Sequence, residues 1–454
     1  MSIQERPPVI LAVMCSNSGT CYWRMMTWWE AAYRTRKAGW HVLGWEKDCN
    51  GHAVWQDDIV SEAHRYRLLG MLYTAAVQAD AIVFQRTETE AALSAMHALK
   101  DQFPNKPILT EIDDDLLNIA NYSPAAEFFK PSEDRSSLLN LALRQFKSSD
   151  ALIVSTPFLK ELYADYCKHI YVVPNSIDLN LWDKAAKQRR KIGGLRIGWI
   201  GGGTHSEDLR LLDEIIDPIC EDNKDVKFVI CSYFGEDLQN LPDFLRNRKN
   251  VEIVNHWAPV LKYPVHLSRQ DFDIGLAPLR DNEFNRAKSN LRWLEYSALG
   301  IPTVASQVGH FAETIKHGVD GFLAHDPAEM RKWLELLISD KKTRHAIGQA
   351  AYYRIMNDFN IERNLDLYIS AVEDTLSRPA VSAPSTMTGV DGMCEVAEPQ
   401  YDLTPLEVIH EPANLDEPCG QLCPGPAAIQ ICGPLHQHPQ PSAAAVCPGL
   451  EVQL

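Results

Sequence analysis

Short apolar runs alternate with helix-length stretches along most of this chain, and the alternation stops once, near the middle, and begins again. The first series is PPVILAVMC, WHVLGW, ADAIVFQR, KPILTEIDDD, SSDALIVSTPF and HIYVVPNSID. Between the first two lies WRMMTWWEAAYRTRKAG, read as a helix ended by Gly39. The second series is LRIGWIG, VKFVICSY, VEIVNHW, DIGLAPL and IPTVASQV, separated by helical segments such as NLRWLEYSALG. A strand-length apolar run followed each time by a helix is the pattern of a parallel sheet covered on both faces. The basic, glycine-containing stretch KAAKQRRKIGG, around residues 184–194, is the joint between the two series. After GFLAHDPAEM, two or three amphipathic helices are expected. The fold class is α/β, with two doubly wound, Rossmann-like domains spanning 1–190 and 191–378.

A chain of 454 residues exceeds what one core fills comfortably, since domains run to about 100–200 residues. From Pro379 onward the pattern is lost. This last stretch holds 12 of the 27 prolines and nine acidic residues against no Lys or Arg. Its composition is that of a disordered acidic tail, 379–454. Cys419, Cys423, His436 and His438 in it match no standard zinc spacing. The tail carries more than half of the net charge of −16, so the remainder is mildly acidic. That balance disfavours nucleic acid as a partner. No apolar run approaches the roughly 18–20 residues of a membrane span, and the start lacks signal-peptide architecture. The expected location is the cytoplasm, with peripheral contact at an inner membrane left open by WRMMTWWEAAYRTRK.

Two stretches carry chemistry. In LRIGWIGGGTHSEDLRLL a strand meets Gly201, Gly202 and Gly203 and then a helix start, which Thr204 or Ser206 would cap. Exposed N–H groups and a helix dipole make such a turn an anion cradle, although a plain tight turn reads the same way. It has neither the GxGxxG spacing nor a P-loop lysine, which argues against a nicotinamide oxidoreductase and an NTPase. His205 beside it is either a phosphate contact or a surface histidine next to a cap. The second stretch runs DFDIGLAPLRDNEFNRAKSNLRWLEYSALGIPTVAS from Asp271. Arg280, Arg286 and Lys288 supply positive charge, Ser289 and Asn290 open a helix, and Glu295 on that helix can accept bonds from sugar hydroxyls.

These motifs are similar to the nucleotide-sugar half of GT-B glycosyltransferases of family 4, or group 1. The resemblance rests on KSNLRWLEYSALGIPTVAS, the HGVDGFLA turn and the WIGGGTHSEDL loop. It implies a GT-B architecture, a nucleotide diphosphate sugar as co-substrate, no tightly bound cofactor, no catalytic metal, and transfer to an acceptor hydroxyl with retention. The acceptor it implies is a glycan, a lipid-linked sugar or another hydroxyl compound, in surface polysaccharide or glycoconjugate synthesis. Position by position, Glu295 matches the second glutamate of the family's E-x7-E motif and would hold the donor ribose, with Lys288, Ser289 and Asn290 facing the diphosphate. The first glutamate of that motif falls on Ala287, with Glu283 out of register. The arginine and lysine that often follow the first strand of this half are replaced by Gly202 and Gly203, which shifts the diphosphate's charge onto Lys288, Arg286 or Arg280.

The first half is expected to supply the acceptor side. Ser18, Gly19 and Thr20 form a strand-to-helix loop and Arg24 follows, read either as a contact site or as a capped helix start. In TEIDDDLLNI, Glu111, Asp113, Asp114 and Asp115 gather at a strand end. Successive carboxylates repel unless something answers them, so a cleft role for Asp113 or Asp114 competes with helix capping and, more weakly, with a metal. Asn175 lies where the hinge between halves should begin, and His256 with Trp257 would border the base or enter the core. Two rival functions stay open: a GT-B enzyme acting on modified DNA bases, and a catalytically silent homologue that binds a nucleotide sugar. A GT-B epimerase is a third, without an assignable acid/base pair.

Overall fold

The computed structural model describes residues 6–14, 19–44, 62–87, 89–120, 126–129, 137–202, 205–235, 238, 240–246, 248–256, 258–259 and 262–378. Ser18, Gly203, Thr204, Trp257 and the tail 379–454 lie outside the described residues.

The first half builds a parallel sheet from β1 (Val9–Met14), β2 (Gly39–Gly44), β3 (Ala81–Gln85), β4 (Ile108–Ile112), β5 (Ala151–Val154) and β6 (Ile170–Val172), in the order β2-β1-β3-β4-β5-β6. The second half repeats the plan with β7 (Leu195–Ile200), β8 (Val226–Ser232), β9 (Val251–Asn255), β10 (Ile274–Ala277), β11 (Thr303–Ser306) and β12 (Phe322–Ala324). Its order is β12-β11-β10-β7-β8-β9, again parallel throughout. Helices on both faces explain why central strands such as AIVFQ and ILTEI are buried at every position. The three-residue strand β12 was not anticipated, because FLA is too short to show a period. In both sheets the strand order reverses beside the first strand of the half, and crevices beyond carboxyl ends at such points are where ligands bind in open α/β sheets.

The first long helical stretch is not one uniform helix. A short α turn, Gly19–Cys21, passes into a π turn, Tyr22–Met26, and then into an α-helix, Thr27–Thr35. One wide turn shifts the helical register, and here it falls on Tyr22, Trp23 and Arg24. The helix stops at Thr35, with Arg36 in the left-handed region at φ 59°. Gly39 therefore does not end it; Gly39 opens β2, where a Cβ would lie 3.1 Å from the Val9 side chain. Trp23, Trp28 and Trp29 are buried, which takes all three tryptophans of this stretch off the surface. Among the described residues no helix is long and apolar enough to cross a membrane.

The two halves exchange helices. Leu179–Ala186, which precedes the basic joint, packs with Tyr263–Arg269 of the second half and buries Trp182 completely. In the other direction, Ile361–Leu376 follows the second sheet in sequence but packs on the first, stacking Tyr368 on Trp28 with centroids 5.7 Å apart. The crossing point is tied by backbone bonds from Ile177 N–H to Phe359 O at 2.7 Å and from Ile361 N–H to Ile177 O at 3.0 Å. The helix before the joint and the helix after the second sheet are thus shared between the cores rather than divided at one boundary.

Candidate active site

A cavity of about 350 Å³ lies between the halves, at the carboxyl ends of their strands. Trp199, Ile200, Gly201 and Gly202 come from the end of β7, Ser232 ends β8, Pro278 and Leu279 follow β10, and Asp113 and Asp114 follow β4. Thr20, Tyr22 and Trp23 reach it from the first helical stretch. Parallel topology is the reason for the convergence: every strand delivers its following loop to the same edge.

The glycine turn has a packing reason as well as a binding one. A Cβ on Gly201 would come within 2.5 Å of the Trp199 ring and 2.9 Å of the Arg292 guanidinium. Glycine lets the indole and the cation close over the turn. Arg292 sits 5.9 Å above the Trp199 ring and 3.2 Å from Glu295, with which it shares the Tyr263 hydroxyl. Glu295 accepts from Tyr263 Oη at 2.8 Å and is 3% exposed. Burial raises its pKa, and Arg292 works against that rise. Its carboxylate therefore stands on the cavity wall with donors already arranged, as required to accept from a diol.

The opposite wall meets this one through a direct contact. Lys288 Nζ donates to Asp114 Oδ1 at 2.7 Å, across the cleft, and stands 4.2 Å from the Phe284 ring centroid. Burial is the largest single influence on Lys288 and opposes its charge, but Asp114, Asp113 and Asp208 together outweigh burial and hold the ammonium above its usual pKa. Asp114 is pushed up by burial and brought below the ordinary carboxylate range by Lys288. Asp113, also on the wall, is raised by burial and by Asp114 beside it. The third aspartate has a separate task. Asp115 is buried and accepts from the N–H groups of Leu117 and Asn118 at 2.8 and 3.0 Å, closing a turn.

Behind that wall is a second ion pair. Arg24 Nε donates to Glu111 Oε1 at 2.6 Å with both side chains wholly buried, and Arg24 also donates to Val173 O and Asn175 Oδ1. Burial dominates Glu111 and pushes it up to about 8 despite Arg24. Asn175 then donates to Ser289 Oγ at 2.8 Å, so the network behind the first wall touches the residue next to Lys288.

Of the residues singled out in the sequence, Thr20, Asp113, Asp114, Gly201, Gly202, His205, His256, Lys288, Ser289 and Glu295 therefore line one cavity. Others do not. Arg280 pairs with Glu207 at 3.0 Å and Arg286 with Asp281 at 2.7 Å, both about half exposed and off the cavity wall. Arg24 is interior rather than a contact, and Gly19 opens the short first turn. Asn290 is buried at the N-cap position and donates to Thr314 Oγ1 at 3.3 Å. Ser206 is the first residue of its helix rather than its cap; His205 holds that position. Ala287 is buried and packs into a cluster of the first half that includes Ile112 and Leu116. Sequence reasoning missed Arg292, Trp199, Tyr263, Ser232 and His266. Arg292 was findable: it sits three residues before Glu295 on the same helix, Leu291–Ala298.

Residues 194–340 match the family model described as Glycosyl transferases group 1. That stretch is similar to the group 1 glycosyltransferases. It holds the glycine turn, Lys288, Arg292 and Glu295. A stretch of 114 residues is 30% identical to D-inositol 3-phosphate glycosyltransferase from Paenarthrobacter aurescens (strain TC1). That match covers 25% of this chain and 27% of the relative, so the chain spans about a quarter of the length of the curated relative it matches. Solved structures extend the likeness to both halves. HepE of Anabaena in complex with UDP-glucose is 16% identical with a TM-score of 0.55, over 81% of this chain and 100% of that one. Sucrose-phosphate synthase from Thermosynechococcus elongatus is 14% identical with a TM-score of 0.55, over 81% and 99%. The two-sheet fold of the chain is GT-B.

Proposed function

We propose that this protein transfers a glycosyl group from a nucleoside diphosphate sugar to an acceptor hydroxyl. The observation that carries the reading is the placement of Arg292, Glu295 and Lys288 of the second half on one wall of a cavity whose other wall presents Asp113 and Asp114. HepE is a complex with UDP-glucose, and a UDP-sugar is accordingly the first donor to test.

Each residue has a chemical task in this scheme. Glu295 accepts from the ribose hydroxyls. Lys288 turns from Asp114 to the diphosphate, where negative charge grows as the glycosidic bond breaks; preorganised cations at such a point are worth a great deal in a closed site. Asp113, whose raised pKa suits it to take up a proton, faces the attacking hydroxyl. Closure of the two halves over the bound donor excludes water and suppresses its hydrolysis. Retention by same-face attack, and an acceptor drawn from glycans or lipid-linked sugars in surface glycoconjugate synthesis, complete the proposal.

Ala287 favours a second reading, a nucleotide-sugar binder without transfer activity. The test separates the two. Wild-type protein is titrated with UDP-, GDP- and ADP-sugars by thermal shift, with Glu295→Ala and Lys288→Ala alongside, and release of nucleoside diphosphate is then followed with acceptor hydroxyl compounds present. A donor that stabilises wild type but neither variant, and is turned over, supports transfer. Binding without turnover supports the silent reading, and equal stabilisation of all three proteins removes the proposed donor site.

A further inference from the structure

His205 lines the cavity, and its Nδ1 lies 2.8 Å from Asp208 Oδ2. Asp208 is itself 2% exposed, and its other oxygen accepts from the Arg280 backbone N–H at 2.9 Å and from Asn285 Nδ2 at 2.8 Å. A carboxylate held by donors on every side acts as an acceptor, so the Nδ1 position of His205 carries the hydrogen. Trp199 packs edge-on against the ring at 6.2 Å between centroids and limits its rotation. Nε2 has no hydrogen bond among the described residues. The imidazole is thus fixed in one tautomer, with its unused nitrogen on a side chain of the cavity wall.

Charges face this ring from both halves. Asp208 favours the imidazolium, while Lys288 and Arg292 on the same domain disfavour it. Asp114 of the first half feels His205 in turn, and Glu207 pairs with Arg280 beyond Asp208 at 3.0 Å. Burial is the largest influence and, with the two cations, holds His205 below its ordinary pKa, so the unliganded ring is neutral near pH 7. A neutral Nε2 presents a lone pair, which repels phosphate oxygens. Entry of a diphosphate shifts that balance toward the imidazolium, because its negative charge beside the ring favours the charged form directly and also offsets the two cations.

We infer that His205 is a proton-coupled ligand of the donor's diphosphate. It takes a proton from solvent onto Nε2 as the diphosphate enters, donates that N–H to a phosphate oxygen while the glycosidic bond breaks, and returns the proton when the nucleoside diphosphate leaves. Asp208 is the positioning residue that makes this possible. The inference rests on the nucleotide-sugar reading above.

Calorimetric titration with UDP, GDP and ADP near pH 7.5, in buffers of different ionisation enthalpy, measures the protons taken up on binding. Wild type is expected to take up a large fraction of one proton, and His205→Gln none, with affinity weaker by roughly ten- to a hundredfold, the worth of a hydrogen bond to a charged group. Asp208→Asn keeps the ring but removes the carboxylate that favours its charge, and uptake should fall there too. Melting curves check folding, and Asp208→Asn supplies the same readout if the glutamine variant does not fold. Uptake unchanged in either folded variant, or tight wild-type binding with no uptake, overturns the inference and leaves the nucleotide-sugar reading intact. Failure of all three nucleoside diphosphates to bind wild type overturns both.

Discussion

Two ion pairs in this protein are built from similar groups and do different work. Arg24 and Glu111 lie inside the first half with neither side chain exposed, while Lys288 and Asp114 meet across the cleft with 24% and 39% of their side chains exposed. The interior pair holds the floor beneath the first half's wall of the cavity, binding the first helical stretch to β4 and, through Asn175, to Ser289. Desolvation makes such a pair costly to form and more costly to break, because a lone charge would stay behind. The cleft pair is partly exposed and loses little when its partners separate, as the proposed displacement of Asp114 by a donor's diphosphate requires. Burial, more than charge type, decides which pair is locked in place and which is able to open.

The largest effect should come from breaking the interior pair on one side. Glu111→Ala leaves Arg24 buried with only the neutral oxygens of Val173 and Asn175 to accept from it and should cost about 3–5 kcal/mol in urea unfolding; a loss near zero would make the two pairs equivalent. The pH dependence of that stability has a definite sign. A carboxyl raised from 4.5 to about 8 on folding adds stability below pH 4.5 that is lost as pH rises toward 8. Glu111→Gln should flatten this part of the stability curve between those limits.

Lys288→Ala should do the reverse of Glu111→Ala, lowering donor turnover by about a hundred- to a thousandfold while stability falls by less than about 1 kcal/mol. A stability loss as large as that of Glu111→Ala would place Lys288 with the scaffold. Ala287→Glu inserts a carboxylate into the apolar cluster around Ile112 and Leu116; a loss of about 1–3 kcal/mol is expected from overpacking and desolvation, read by urea unfolding. The smallest change should be Asp114→Asn, under about 1 kcal/mol in stability, with the halves separating more readily in small-angle scattering.

The parallel-sheet plan was readable because buried strands and amphipathic helices leave patterns within a few residues of themselves. The glycine turn, Lys288 and Glu295 were readable for the same reason, since each belongs to a local run whose residue types make sense only together. Arg280 and Arg286 show where this stopped. Both are cations in the correct stretch, yet each turns to a neighbouring carboxylate, while Arg292, on the helix that follows, reaches the cavity. Which arginine faces inward depends on the phase of its helix against Trp199, and Trp199 lies nearly a hundred residues away in the chain.

The aspartates of TEIDDDLLNI make the same point from the first half. Their gathering at a strand end was visible in one dimension, but their division into a cavity carboxyl, a partner for Lys288 and a turn closure was not. That division needs a lysine brought from 174 residues further along. The helix exchange between the halves has the same origin, because hydrophobic burial has no direction and no memory of sequence order. Local periodicity set the elements and their order; packing between distant segments decided which polar groups lost their water, and with it which of them are free to meet a substrate.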